Sequence, residues 1–438
     1  MSTAIASPTT VAATTISKLK RRILPLLFLL YIVAYLDRIN IGFAAFTMNQ
    51  ELGITSAQFE FLTGIFFWGY FLFEIPSNLI LHKMGARLWI LRILVSWGAI
   101  AMLGGLVHSA SQLYVVRFLL GVAEAGFFPG IVLYLTYWFR QREQAQMVAW
   151  FLTGLPVATI VGAPLSGVIL DHAHWLGISS WRWLLILEGM PAIGCGFLAW
   201  LLLPSRPAEA QFLLPEEKQW IAEELRQEGR SKFGNHQGNA LHALTNPRVW
   251  HLACISFTYL IGLYAMSFWM PQAVKQLARD YSNTLLGFLI MVPHLVGVAA
   301  MILVSRSSDR TLERRYHAAV PLIAGAVALM LLSTASSVGL ALALWSVIAA
   351  GIYSFLGPFW SLPSEFLSGL SAAAGIALIN SIGNLGGFVG PSAIGVLTKQ
   401  AGGMYRGLRF VGFSLLMSAV LLLLLPKTKP QGSVTGGA

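Results

Sequence analysis

The chain has 438 residues, of which 56% are hydrophobic and only 11% are charged. Soluble domains carry roughly 25% charged residues, so this composition excludes an ordinary soluble enzyme or binding domain and indicates an all-α protein that crosses a membrane many times. The net charge of +11 does not indicate a nucleic-acid partner, because most of the excess lies in short loops beside apolar segments, where membrane lipid is the expected neighbour.

Twelve apolar segments predict twelve transmembrane helices, since each span needs about 20 apolar residues. A hydrophilic segment lies at each end of the chain, and a third separates the first six spans from the last six. The central hydrophilic segment contains LPEEKQWIAEELRQEG, whose early acids and final Gly predict an amphipathic helix. The spans are 23–46, 58–81, 88–107, 112–138, 147–170, 183–203, 249–273, 284–304, 318–336, 339–362, 371–397 and 408–425. The predicted domains are an N-terminal tail (1–22), a six-helix bundle (23–203), a central loop (204–247), a second six-helix bundle (248–426) and a C-terminal tail (427–438).

Lysine and arginine residues in the loops predict the orientation. Both tails and the loops after spans 2, 4 and 8 are basic, whereas the loops after spans 1, 3 and 9 contain no Lys or Arg. The loops after spans 7 and 11 contain a few, so the bias is incomplete. Because short cytoplasmic loops are rich in Lys and Arg, both termini and the central loop are predicted to be cytoplasmic.

Asp37 and Arg38 are the only charged residues in the first span. Charge at this depth costs several kcal/mol and needs partners or water, so it indicates a substrate or ion pathway. Neighbouring residues on a helix point about 100° apart, so these two side chains need not pair with each other. The alternative is a structural ion pair that fixes the first span to a neighbour.

Arg117 and Glu124 repeat this theme in the fourth span, seven residues apart and so two turns along one helix face. Burial disfavours a charged carboxylate, whereas a nearby arginine favours it. Inserting or removing an anionic substrate would change that balance, which predicts a proton switch. The alternative is a static buried salt bridge. Glu74 and Arg92, near the cytoplasmic ends of spans 2 and 3, are expected to form gate or interfacial pairs.

The two halves of the chain are faintly similar to each other. LILHKMGARLWILR after span 2 matches VSRSSDRTLERRYH after span 8, and GVAEAGFFPG in span 4 matches GIYSFLGPFW in span 10. Repeats of this size predict a transporter built from two related bundles, with its site at mid-membrane between them and with alternating access.

Five strings resemble the major facilitator superfamily and, within it, the anion:cation symporter family. They are YLDRINIGFA, GYFLFEIPSNLILHKMGAR, RFLLGVAEAGFFPG, SDRTLERR and GIALINSIGNLGGFVGP. The resemblance covers all twelve spans and is strongest to bacterial carboxylate permeases for phthalate and tartrate. It implies the major facilitator fold, in which two six-helix bundles enclose a central cavity, located in the bacterial cytoplasmic (inner) membrane.

The resemblance also implies roles for individual residues. Asp37 and Glu124 are expected to carry protons, with Arg117 as the partner of Glu124. Arg38 is expected to hold a substrate carboxylate, for which its planar donor fork is suited. The predicted substrate-binding residues are Arg38, Tyr35, Tyr70, Arg117, Trp360, Asn380 and Asn384. The predicted gating residues are His82, Lys83, Gly85, Arg87, Asp309 and Arg310, where His82 and Lys83 replace the Asp-Arg pair common in the family and indicate a weaker or pH-sensitive gate.

Together these features predict a transporter that imports a small organic carboxylate by proton symport. Leu155 and Phe359 stand where a hydroxyl would help to bind a polyol, which favours a flat aromatic dicarboxylate such as phthalate over tartrate. The alternatives are an anion exchanger or a uniporter of a sugar acid or another monocarboxylate. The sequence contains no nucleophile elbow, HExxH motif, phosphate-binding loop or metal-ligand cluster. We therefore expect no enzyme activity, no metal and no cofactor besides the coupling proton, and a functional monomer.

Overall fold

The structure is a computed structural model that describes residues 8–234, 244–363, 367, 369–398 and 403–426. Within these residues the chain forms sixteen α-helices and no strands, which confirms the predicted all-α fold class. The predicted C-terminal tail, 427–438, lies outside the described residues. The helices are α1 (Pro8–Glu51), α2 (Ser56–Met84), α3 (Ala86–Gly104), α4 (Ala110–Glu124), α5 (Phe127–Thr136), α6 (Gln141–Leu152), α7 (Gly154–His172), α8 (Ser180–Leu202), α9 (Pro215–Gly234), α10 (Pro247–Leu277), α11 (Asn283–Thr311), α12 (Arg315–Leu331), α13 (Val338–Ser361), α14 (Gly369–Asn384), α15 (Gly386–Thr398) and α16 (Gly403–Leu423).

Ten helical segments among the described residues are long and apolar enough to cross a membrane, and they correspond to ten of the twelve predicted spans. The other two predicted spans are α2, which contains Glu60 and Glu74, and the pair α14 and α15, which are only 16 and 13 residues long. The chain is therefore a multi-pass membrane protein, with α1–α8 in one bundle and α10–α16 in the other.

Polar caps begin the helices that follow four short loops, at Thr55, Ser109, Ser282 and Ser337. Each side-chain oxygen accepts a hydrogen bond from a backbone N–H of the first turn, and Thr55 forms a full capping box with Gln58. Each such cap contributes about 1 kcal/mol. All four loops lie on the side opposite to the predicted cytoplasmic loops, which we call the outer side; the other is the inner side.

The first helix is longer than its predicted span, because it begins at Pro8. Residues 8–22, predicted as part of a tail, are thus helical. On the inner side Lys18 forms a 2.8 Å ion pair with Glu217 of α9. Helix α9 is the amphipathic helix predicted in the central loop, and this ion pair docks it against the start of α1.

Two predicted spans are interrupted near their middle. Span 4 divides into α4 and α5 at Ala125 and Gly126, where Gly126 has φ +85°, a left-handed conformation that glycine adopts readily. Span 11 divides into α14 and α15 at Leu385. In span 5, α6 and α7 are separated only by Thr153, whose backbone stays right-handed helical. Broken helices that line a cavity at mid-membrane are typical of transporter binding sites.

The two bundles meet closely on the outer side, along α7 and α11. A Cβ atom placed on Gly167 would lie 2.3 Å from the Asn283 carbonyl oxygen, and Gly287 approaches the backbone of α7 equally closely. The Asp171 carboxylate accepts hydrogen bonds from the backbone N–H groups of Asn283 at 3.1 Å and Thr284 at 2.6 Å. The structure is therefore closed on the outer side.

Candidate functional site

A cavity of about 50 Å³ lies between the bundles, at the level of the helix breaks in spans 4 and 11. This volume holds only a few water molecules. The charged lining residues all come from the first bundle, whereas the second bundle contributes amides, hydroxyls and aromatic rings. Seven predicted site residues line the cavity: Tyr35, Arg38, Tyr70, Glu124, Trp360, Asn380 and Asn384.

The centre of the cavity is an ion pair between Arg38 of α1 and Glu124 at the end of α4. Two guanidinium nitrogens of Arg38 contact Glu124 Oε1, Nε at 2.7 Å and a terminal nitrogen at 2.5 Å. Glu124 is fully buried, and its Oε2 has no hydrogen-bond partner among the described residues. A carboxylate of the protein thus already occupies the donor fork that was predicted to hold a substrate carboxylate.

Arg38 also connects the two bundles. Its third nitrogen donates to the Tyr264 hydroxyl of α10 at 3.1 Å, and this hydroxyl donates to Asn384 Oδ1 of α14 at 3.2 Å. The guanidinium lies 5.2 Å from the ring centre of Tyr35 and 5.3 Å from that of Tyr70. Such contacts add roughly 0.5–1 kcal/mol each at exposed sites and more when desolvated, so Arg38 is held in place even when its carboxylate partner changes.

Asp37 does not pair with its sequence neighbour. Its buried carboxylate accepts hydrogen bonds from Trp97 Nε1 at 3.0 Å and from the Asn40 amide at 3.4 Å. The side chains of Asp37 and Arg38 therefore face different surroundings, as the 100° rotation between neighbouring residues predicts. Asp37 lies behind the cavity wall rather than in its lining.

Arg117 is not the direct partner of Glu124, contrary to the sequence expectation. The two side chains form no ion pair among the described residues, although their charges interact electrostatically. Arg117 is buried, interacts electrostatically with Asp37, and lies 5.1 Å from the Phe66 ring centre. Its Nε has no hydrogen-bond partner among the described residues, and Arg117 is not part of the cavity lining.

Glu74 forms the interfacial contact that its position suggested. Its carboxylate accepts hydrogen bonds from Asn380 Nδ2 at 2.9 Å and from Ser381 Oγ at 2.7 Å, both on α14 of the other bundle. Nearby, the rings of Phe128 and Trp360 bring α5 and α13 together, with centroids 6.2 Å apart. These two contacts narrow the cavity on its inner side.

Glu188 of α8 is a buried acid that the sequence reasoning missed. Its Oε1 accepts a 2.8 Å hydrogen bond from Ser166, while its Oε2 has no partner among the described residues. It also interacts with Asp37 and with the Asn40 amide. The signal was the same one that singled out Asp37, a lone carboxylate inside an apolar span.

The predicted gating residues do not form a direct contact between the two loops in the described part of the chain. Gly85, with φ +88°, makes the turn between α2 and α3. Arg87 bonds the Trp200 carbonyl of its own bundle, and Asp309 pairs with Arg314 of its own loop. Lys83 and Arg310 are exposed, and the His82 side chain is outside the described part of the structure.

The lining is more polar than the sequence suggested. Leu155 and Phe359, which were predicted to reduce the hydroxyl content of the site, do line the cavity. However, Ser256 and five tyrosines also line the cavity and contribute hydroxyl groups: Tyr31, Tyr35, Tyr70, Tyr259 and Tyr264. This lining favours a hydroxylated acid more than the sequence alone did.

Comparison with known proteins gives matches in both sequence and fold. The family model described as Major Facilitator Superfamily matches residues 27–391. A protein of Agrobacterium vitis, to which tartrate transport is assigned by inference, is 44% identical over 423 residues, which cover 97% of this chain and 94% of the relative. The quinolone resistance transporter of Acinetobacter baumannii is 39% identical over 400 residues, covering 91% of this chain and 92% of the relative. Among solved structures, the xylose transporter XylE from E. coli in a partially occluded inward-open conformation matches with a TM-score of 0.74 at 14% identity, covering 94% of this chain and 99% of that chain.

Proposed function

Because the chain belongs to the Major Facilitator Superfamily, we propose that it imports a small organic carboxylate together with protons, by alternating access of the two bundles. It is a membrane transporter and not an enzyme. We place it in the bacterial cytoplasmic (inner) membrane with both termini inside, in keeping with the basic inner loops. The substrate that we favour is a dicarboxylate of tartrate type. The tartrate transport inferred for the 44% identical relative and the hydroxyl-rich lining both support this choice over phthalate.

The observation that carries the proposal is the Arg38–Glu124 ion pair in the cavity. A substrate carboxylate can bind the Arg38 fork only if it displaces Glu124, because one guanidinium edge cannot hold both at 2.5–2.7 Å. A displaced carboxylate in a buried site needs a new partner, since an unpaired buried charge is very costly. A proton is such a partner, so substrate binding and proton uptake become linked at Glu124.

Asp37 extends this linkage to a second carboxyl group. It lies next to Arg117, whose charge it offsets, and away from the cavity lining. A proton on Asp37 removes the largest negative charge that acts on Arg117, and the positive charge of Arg117 then helps to hold an anion in the cavity. We therefore assign Asp37 to proton coupling and Arg38 to substrate binding, with Tyr35, Tyr70, Trp360, Asn380 and Asn384 completing the contacts.

The test uses purified protein in proteoliposomes and radiolabelled L-tartrate. In the wild type, an inward proton gradient should accelerate uptake. The Asp37→Asn variant should show a smaller acceleration, because Glu124 remains its only proton-coupling acid of the two, and it should keep tartrate counterflow, because its binding site is intact. If the variant keeps the full wild-type acceleration, Asp37 is not a coupling residue. If wild-type uptake ignores the gradient and counterflow proceeds, the protein is an exchanger or a uniporter.

A further inference from the structure

Glu74 of α2 is a buried carboxylate that the proposed exchange at Arg38 does not use. Its side chain is buried, and it lies about one helical turn from the cavity-lining Tyr70, toward the inner side. Acids at this depth are rare and functional by default. Its position beside the cavity therefore indicates that its charge has a role in transport.

Both oxygens of Glu74 are held by the other bundle. Asn380 donates to one oxygen at 2.9 Å and Ser381 donates to the other at 2.7 Å. In the described part of the chain these hydrogen-bond partners are neutral, so the carboxylate has donors but no direct cation. Two donors that address the two oxygens of one carboxylate form a small carboxylate-binding site on α14, and Asn380 lines the cavity.

The cavity thus has two sets of carboxylate donors, and a protein carboxylate occupies each. Glu124 occupies the Arg38 fork, and Glu74 occupies the donors of α14. The two sets are connected across the bundles, because Arg38 reaches Asn384 through one intervening tyrosine hydroxyl, and Asn384 lies one turn after Asn380 on α14. A molecule with a carboxylate at each end could replace both protein groups at once.

The charged groups around Glu74 are few. Arg38 of α1 acts on it electrostatically but is bonded to Glu124 of α4, and Arg92 of α3 bonds Ser77 on the next turn of α2. Tyr70 of its own helix is the nearby phenol. Helices α5, α14 and α15 contain no charged residues. A second substrate carboxylate arriving beside Glu74 would therefore meet like charge with little to offset it.

We propose that Glu74 is a second coupling acid, specific for dicarboxylates: the second carboxylate of the substrate takes the Asn380 and Ser381 donors, and the released Glu74 takes up one proton. The inference rests on the proposed function at Arg38. In this step two hydrogen bonds pass from Glu74 to the substrate, and one proton passes from the protonated buffer in the medium to a Glu74 oxygen, leaving the buffer's conjugate base in solution. The added proton offsets the second negative charge of the substrate. A monocarboxylate, which has no second carboxylate, leaves Glu74 in place.

The test counts protons taken up when ligand binds. Titration calorimetry in two buffers of different ionisation enthalpy gives this number for L-tartrate and for D-glycerate, which lacks the second carboxylate. Wild-type protein at pH 7.5 should take up about one proton more with tartrate than with glycerate. For each unit of rising pH, the tartrate affinity should therefore fall by about a further factor of ten relative to the glycerate affinity. The Glu74→Gln variant should lose this difference. The Glu188→Gln variant, which removes a buried acid that does not contact α14, should keep it.

The possible results distinguish a failure of the Glu74 role from a failure of the proposed function. Equal proton uptake with both ligands in wild-type protein overturns the role of Glu74, and this comparison needs no folded variant. A Glu74→Gln protein that keeps the extra proton with tartrate also overturns it. If wild-type protein takes up no proton with either ligand, the proposed function fails and this inference fails with it.

Discussion

Replacing Glu124 by Gln should tighten substrate binding, although Glu124 lies at the centre of the site. In the wild type a substrate carboxylate must displace a charged carboxylate whose Oε1 accepts a hydrogen bond from Arg38 Nε at 2.7 Å and forms an ion-pair contact with a terminal Arg38 nitrogen at 2.5 Å. Gln offers a neutral acceptor in the same place. Hydrogen bonds to charged groups contribute about 1.5–3 kcal/mol and neutral ones about 0.5–1.5 kcal/mol, so each of the two Arg38 contacts to the competitor, the hydrogen bond and the ion-pair contact, weakens by about 1–1.5 kcal/mol when the competitor is neutral.

The sum is about 2–3 kcal/mol in favour of the substrate, which corresponds to a Kd about 30- to 140-fold lower, since 1.4 kcal/mol is a factor of ten. The assay is titration calorimetry with L-tartrate at pH 8, where proton binding does least to displace Glu124 in the wild type. The advantage of the variant should shrink as the pH is lowered, because protons then weaken the competitor in the wild-type protein as well.

The matched control is Glu188→Gln. Glu188 is equally buried but bonds Ser166 and has no contact with Arg38. Its tartrate Kd should stay within about threefold of the wild type. A Glu124→Gln protein that binds tartrate no more tightly than the wild type at pH 8, while Glu188→Gln is unchanged, would refute the competition between Glu124 and substrate for Arg38.

Three further predictions follow from the same contacts. In the Glu124→Gln background, Arg38→Lys should weaken tartrate binding by about 10- to 140-fold, because Lys cannot reproduce the fork and one charge-assisted bond of about 1.5–3 kcal/mol is lost; calorimetry measures this. Gly167→Ala should lower the melting temperature, since a Cβ there meets backbone at 2.3 Å and overpacking costs about 1–3 kcal/mol, whereas Gly194→Ala, where nothing lies within 4 Å, should not. Burial opposes the charge of Glu313, but hydrogen bonds from the first turn of α12 outweigh burial and hold the pKa of Glu313 below the ordinary 4.5. The stability that this carboxylate gives residues 312–317 is therefore present above the unfolded-state pKa and is lost as the pH falls through the lower folded-state pKa. Hydrogen exchange of these residues between pH 6 and pH 3 measures this loss.

Each of these predictions has a contradicting result. Equal tartrate affinity with Arg and Lys at position 38 would mean that the guanidinium fork does not hold the substrate. A Gly167→Ala protein as stable as Gly194→Ala would mean that the seam between α7 and α11 is looser than described. Acid-dependent exchange of residues 312–317 that persists in Glu313→Gln would assign that dependence to another group.

The sequence predicted the architecture well because its signals are local. Apolar length located the spans, loop charge indicated which loops share a side, and lone charges in apolar segments located Arg38 and Glu124 in the cavity. The helix breaks were not predicted, because the sequence stays apolar on both sides of Gly126 and of Leu385 although both positions interrupt a helix.

What the sequence could not predict is which side chains meet. Arg38 contacts Tyr264, 226 residues later, and Glu74 contacts Asn380, 306 residues later. Such pairs depend on how the two bundles dock, and no local pattern encodes that. The expected Arg117–Glu124 partnership is present only as an electrostatic interaction, because Glu124 makes its ion pair with Arg38 of another helix.

The most direct test of the central claim is a measurement of proton movement during transport. Wild-type protein in lightly buffered proteoliposomes, with the membrane potential clamped, is given L-tartrate outside while the external pH is recorded. If substrate displaces Glu124 from Arg38 and protons replace the lost partner, tartrate uptake should be accompanied by alkalinisation of the external medium in a fixed ratio to the tartrate taken up. Tartrate uptake at a full rate with no change in external pH would contradict the account.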